Sequence, residues 1–140
     1  MDEVAGNDDL HVLLPRADFV AVCVPLIAST RGVIDERAFQ AMKPGAILID
    51  VSRGGVVRQA ALINALDERR LAGAALDVFE TEPLPADNPL WRMENVLISP
   101  HCSAVYDGWE LKSMRMFCDN MDRWREGKPL VNIVDPVRGY

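Results

Sequence analysis

The sequence predicts an α/β fold organised around a doubly wound parallel sheet. Short apolar runs recur at 18–24 (DFVAVCV), 46–51 (AILIDV), 73–79 (GAALDVF) and 95–99 (NVLIS), with the length and composition of buried strands. Helical patterns separate the first three, and strand–helix alternation is how parallel sheets connect their strands. The runs are continuously apolar, as expected where both faces of a sheet are covered.

Taken in order, DFVAVCV stops at Pro25, which ends the run before PLIASTRG. Asp35 then precedes ERAFQAM, where its carboxylate can accept orphan amide protons of a first helical turn. KPG breaks that helix and AILIDV follows as the second strand. Residues 57–70 (VRQAALINALDERR) put Val57, Ala61, Ala65 and Leu66 near one helical face. GAALDVF is the third strand, and NVLIS follows it with no evident helix between. The intervening loop 80–93 (ETEPLPADNPLWRM) exceeds a minimal connection, and long loops inside compact domains are often functional. From Trp109 to about Glu126 the pattern is again helical, and Gly127 is its stop. No internal repeat or low-complexity tract interrupts this order.

Composition narrows the function classes. With 140 residues, 49% of them hydrophobic, the chain suits one globular domain or a large piece of one. A net charge of −6 offers no basic stripe to neutralise phosphates, so no nucleic-acid partner is expected. No run of eighteen apolar residues is available to span a membrane, and MDEVAGNDDL lacks the regions of a signal peptide. Cys23, Cys102 and Cys118 are odd in number and widely spaced. They are expected as free thiols in a reducing, cytoplasmic setting, with no disulfide framework and no metal site.

Ligands of open parallel sheets sit beyond the carboxyl ends of the strands. After the first run come Pro25, Leu26, Ser29 and Thr30; after the second, Ser52, Arg53, Gly54 and Gly55. Asp77 lies near the end of the third, with Glu80 and Glu82 beyond, and Ser99, Pro100, His101, Cys102 and Ser103 follow the fourth. By type alone Arg53 could equally pair with a surface acid, but paired glycines permit tight turning and close backbone approach to a ligand. Asp77 is harder to set aside, because a buried carboxylate needs partners. A histidine beside a glutamate can be kept protonated and can give that proton to a carbonyl oxygen. An arginine fork can hold a carboxylate and polarise the adjacent carbonyl. Together they suit reduction of a 2-keto acid, with a nicotinamide as the usual hydride source.

The segments VPLIASTRGVID, AFQAMKPGAILIDVSRGGVV, ALINALDERRLAGAALDVFETEPLP and NVLISPH resemble, in order and spacing, the D-isomer-specific 2-hydroxyacid dehydrogenases. The likeness runs from about Ala17 to Gly127 and implies a partial Rossmann-like sheet. It lacks the N-terminal half that carries G-x-G-x-x-G, a motif absent from these 140 residues. By this resemblance residues 1–127 form the C-terminal part of an NAD(P)-binding domain, with a helix at about 109–126 that can return toward a substrate domain, and 128–140 are a tail.

The resemblance also implies roles. Arg53 in SRGG would bind the substrate carboxylate and carbonyl, Glu82 in TEP would pair with the catalytic histidine, and His101 in SPH would be the general acid/base. Glu82 is preferred to Glu80 as the acid immediately before the proline. NAD or NADP would lie against Val24, Pro25, Thr30, Val51, Ser52, Arg53, His101, Ser103 and Ala104, with Asp77 bonding the nicotinamide carboxamide. A small 2-keto or 2-hydroxy acid, such as glyoxylate or hydroxypyruvate, would be the substrate and a homodimer the working form. A truncated inactive chain and a dinucleotide-sensing protein are the alternatives. Where relatives carry PHIGG-like residues this chain has HCSAVYDGW, which alters the expected pocket wall; Trp109 there is a residue for lining or for packing.

Overall fold

A computed structural model describes Val4, Gly6, residues 9–137 and Gly139. The elements are α1 (Leu10–Leu13), β1 (Phe19–Val22), α2 (Glu36–Ala41), β2 (Ala46–Asp50), α3 (Gln59–Asp67), β3 (Leu71–Leu76), β4 (Val96–Ile98) and α4 (Trp109–Arg125). Short 3₁₀ turns occupy Leu14–Arg16 and Pro89–Arg92. Strands β1 to β4 form one sheet in the order β1-β2-β3-β4, every pair parallel.

Capping chemistry sets the helix ends. Asp35 Oδ1 accepts the Ala38 N–H at 2.9 Å, as its position before ERAFQAM predicts. At the other end of α2, Arg70 spends its guanidinium on main-chain oxygens left over by the last turn. It donates to Phe39 at 2.6 Å, to Met42 at 3.0 Å and to Gln40. Gly127 ends α4 at φ 69°, with Gly127 N–H on Trp124 O and Lys128 N–H on Arg123 O, the paired bonds of a Schellman ending.

The sheet register explains what is buried. Val20, Leu48 and Ala74 point to one face with Val22, Asp50 and Leu76. The crossover helices α2 and α3 pack against each other and cover this face, burying Phe39, Leu48, Leu62 and Leu66. The opposite face carries Phe19, Ala21, Ile47, Ile49 and Leu97, with Phe19 65% and Leu97 75% exposed. The continuous apolar runs predict cover on both faces, and the described residues provide it on one. Strands added in one direction with crossovers of one hand put successive helices on the same side.

Two boundaries depart from the sequence expectation. The third strand is Leu71–Leu76, so Asp77, Val78 and Phe79 lie beyond its end. Val57 is buried by an isolated parallel bridge to Ile34 before α3 begins, and not by a helical face. The chain divides into two compact units, one ending at Cys102 and one starting at Ser103. The second holds α4, which buries no residue.

Candidate functional site

The carboxyl ends of β2, β3 and β4 build the site. Beyond β2, the Asp50 carboxylate is buried and its Oδ1 accepts both the Ser52 N–H at 3.0 Å and the Ser52 hydroxyl at 2.5 Å. Burial pushes the Asp50 carboxyl above the usual carboxylate range, and the Ser52 bonds offset this only in part. This Asp–Ser turn presents Arg53, an exposed residue whose Nη1 donates to the Ser52 carbonyl at 2.7 Å.

The two glycines after Arg53 serve the loop itself. A Cβ on Gly54 would lie 1.8 Å from the Phe79 carbonyl oxygen, and Gly55 sits at φ +95°. Close approach is therefore real, but the partner seen is the main chain after β3. The sequence pattern of paired glycines also suits close approach to a ligand.

Beyond β3, Asp77 is 2% exposed and its N–H donates to Asp50 O at 2.9 Å, tying the two strand ends together. Asp77 Oδ1 accepts the Ser99 hydroxyl at 2.5 Å and the Cys102 N–H at 2.9 Å. Between those two donors stands His101, with φ 53°. Its Nδ1 lies 2.7 Å from Glu82 Oε2, while Glu82 Oε1 accepts the Phe79 N–H at 2.8 Å.

Partial burial raises Glu82, but the His101 bond, the Phe79 N–H and the imidazole's charge outweigh it and hold the carboxyl below its ordinary value. An ionised Glu82 can only accept, so Nδ1 carries the proton in this pair. Glu80 is engaged elsewhere: its Oε1 accepts the Gln59 N–H at 3.0 Å, at the start of α3. The two loop acids, indistinguishable by type, thus differ by partner.

An open hollow of about 630 Å³ adjoins the pair, walled by Phe79, Leu84, Trp91 and Ile98 as well as Glu82 and His101. Trp91 is held there by its indole N–H on Pro85 O at 3.0 Å.

The remaining expected residues fall in several places. Val51 is half-buried and its N–H continues the ladder to Val22 O at 3.1 Å. Val24 and Pro25 are exposed after β1. Thr30 is buried; its hydroxyl donates to Pro25 O at 2.5 Å and accepts the Ile27 N–H at 2.9 Å, so it shapes its own loop. Ser103 and Ala104 are exposed and open the second unit, which also holds Trp109, exposed at the start of α4. Cys23, Cys102 and Cys118 are free and exposed, and no group of three metal-ligating side chains occurs among the described residues. Among those residues no helix is long and apolar enough to cross a membrane.

Sequence reasoning missed Asp50, and gave Ser99 no role. Asp50 carries the same signal that singled out Asp77, an acid at the end of an apolar run.

Comparison with known proteins shows the family of the chain. The family model for "D-isomer specific 2-hydroxyacid dehydrogenase, NAD binding domain" matches residues 1–103. A glyoxylate reductase of Korarchaeum cryptofilum is 41% identical over 126 residues, 90% of this chain and 38% of that protein. A glyoxylate/hydroxypyruvate reductase B of Salmonella newport is 42% identical over 128 residues, 91% of this chain and 40% of that protein.

Among solved structures, a D-isomer specific 2-hydroxyacid dehydrogenase of Xanthobacter autotrophicus Py2 in complex with NADPH and MES superposes with TM-score 0.90. It is 41% identical, covering 96% of this chain and 55% of that one. An NADPH-dependent glyoxylate/hydroxypyruvate reductase of Sinorhizobium meliloti in complex with NADP and sulfate gives TM-score 0.91 at 34% identity, with 99% and 45% coverage. The chain thus spans less than half the length of the curated relatives it matches. With its parallel sheet and the acid–histidine pair at the strand ends, it belongs to the D-isomer specific 2-hydroxyacid dehydrogenases, in the region of their NAD-binding domain.

Proposed function

We propose that this chain supplies the catalytic edge of an NAD(P)-dependent oxidoreductase that interconverts a small 2-keto acid and its D-2-hydroxy acid. The observation that carries the reading is the His101 Nδ1–Glu82 Oε2 contact of 2.7 Å at a sheet edge that also bears Arg53. Arg53 holds the substrate carboxylate through its guanidinium fork and polarises the neighbouring carbonyl. His101 gives a proton from Nε2 to the carbonyl oxygen during reduction and takes it back during oxidation. Glu82 keeps the ring oriented through Nδ1–H and offsets the imidazolium charge.

The hydride is supplied by a nicotinamide cofactor when one is bound. The donor set fits the nicotinamide end of such a group: an apolar, exposed Val24 with Pro25 after β1, the chain at Val51 and Ser52 after β2, and the Asp77 carboxylate after β3. Thr30 acts by fixing its loop. NADP and NAD are both admitted by this set, and the NADPH and NADP bound in the two similar structures favour the phosphorylated form. Glyoxylate and hydroxypyruvate are the substrates proposed, after the names of the relatives. A cytoplasmic homodimer is the working state proposed.

Arg53→Lys tests the assignment, because an ammonium cannot make two parallel bonds to a carboxylate. Calorimetric titration with oxamate, an unreactive 2-keto acid analogue, in the presence of NADPH should show affinity lower by about tenfold, the value of one lost charged hydrogen bond. Unchanged affinity would remove Arg53 from the site.

A further inference from the structure

The Asp77 carboxylate does something in this structure that needs no ligand. Its Oδ1 takes bonds from Ser99 Oγ at 2.5 Å and from Cys102 N at 2.9 Å, donors that bracket His101 in the chain. The bracketed residue sits at φ 53°, a left-handed conformation that a residue with a Cβ keeps only when its surroundings hold it. Before the turn, Ser99 N–H closes on Leu76 O at 2.9 Å; at the other end, Asp77 N–H is fixed on Asp50 O at 2.9 Å. The turn is therefore clasped to the end of β3 by one buried oxygen, and the imidazole it carries is met by Glu82 from the same chain segment.

We propose that Asp77 is a positioning residue for His101, holding the Ser99–Cys102 turn so that Nδ1 meets Glu82. The inference rests on the reading of His101 as the acid–base group, and it adds to the carboxamide contact that the resemblance implies for Asp77. The two roles differ in what they require. A residue that only contacts the cofactor leaves the His101–Glu82 pair intact in the cofactor-free chain when it is replaced. A clamp does not: with the acceptor gone, the main chain at His101 relaxes out of the left-handed region and carries the ring off Glu82.

The test is the imidazole Nδ1–H signal of His101 in long-range proton–nitrogen spectra of the ¹⁵N-labelled chain without cofactor. The chain has two histidines, so His101→Gln identifies the signal. We expect a downfield Nδ1–H resonance in the native chain and in Asp77→Asn, whose amide oxygen can still accept both bonds. We expect its loss in Asp77→Ala, with the backbone resonances of β1 and β2 in place. Ser99→Ala removes one of the two donors and should broaden the same resonance; it decides the matter if Asp77→Ala does not fold. Retention of the native signal in a folded Asp77→Ala or in Ser99→Ala overturns the clamp, as does equal loss in Asp77→Asn. Turnover is not needed for this readout. A chain that shows the expected pattern and reduces no keto acid would end the functional reading and leave the clamp standing.

Discussion

Two arginines of this chain show how placement separates structure from chemistry. Arg70 gives its donors to three carbonyls at the end of α2 and is consumed by the fold. Arg53 makes one short bond to Ser52 O and stands exposed at a strand end, where an anion can reach the rest of its fork. Beneath it, Asp50 carries a cost. Because burial raises its carboxyl, the folded chain binds that proton more tightly than the unfolded chain does. Stability therefore falls as pH rises from the ordinary aspartate range through the raised folded value. Asp50→Asn keeps an acceptor for Ser52 and removes the charge. It should melt at a higher temperature than the native chain at pH 7, with the advantage vanishing below pH about 3.9, where an unfolded aspartate is itself protonated. An advantage that persists unchanged in acid would contradict this.

At the scale of elements, the loops after β2 and β3 lock together through Gly54. Gly54→Ala forces a methyl group onto the Phe79 carbonyl. It should cost about 1–3 kcal/mol, the range for overpacking, measured as a shift in the denaturant midpoint. Much of this arrangement was legible in the sequence. Apolar runs marked all four strands, Asp35 marked the start of α2, and Gly127 marked the end of α4. The acids, serines and histidine following those runs are the residues that the structure joins by hydrogen bonds beyond the strands. What remained hidden was settled by contacts between segments distant in the chain. β3 starts at Leu71 because Arg70 N–H and O are already engaged, with Ala65 O and Gly45 N–H, a constraint no local pattern displays. The purpose of Gly54 depends on Phe79, and the choice between Glu80 and Glu82 depends on Gln59 and His101. The left-handed turn at His101 has no local signal, since histidine carries none of glycine's freedom.

For the whole molecule, the sheet presents one face packed by α2 and α3 and one on which Phe19 and Leu97 remain largely exposed. The chain covers 38–40% of the two reductases it matches, and the proposed chemistry is assigned entirely to residues within it. Arg53, Glu82 and His101 all lie in segments that follow strands whose register is fixed by the packed face, so the proposed catalytic edge is built by the same contacts that fold the sheet. The most direct measurement is the loss of dihydronicotinamide absorbance when the purified 140-residue chain is given NADPH or NADH with glyoxylate, beside His101→Gln. The account predicts keto-acid-dependent oxidation by the native chain, reduced by roughly 10²-fold or more in the variant, the scale of one general acid. No oxidation by a folded chain, or equal oxidation by both, would contradict it.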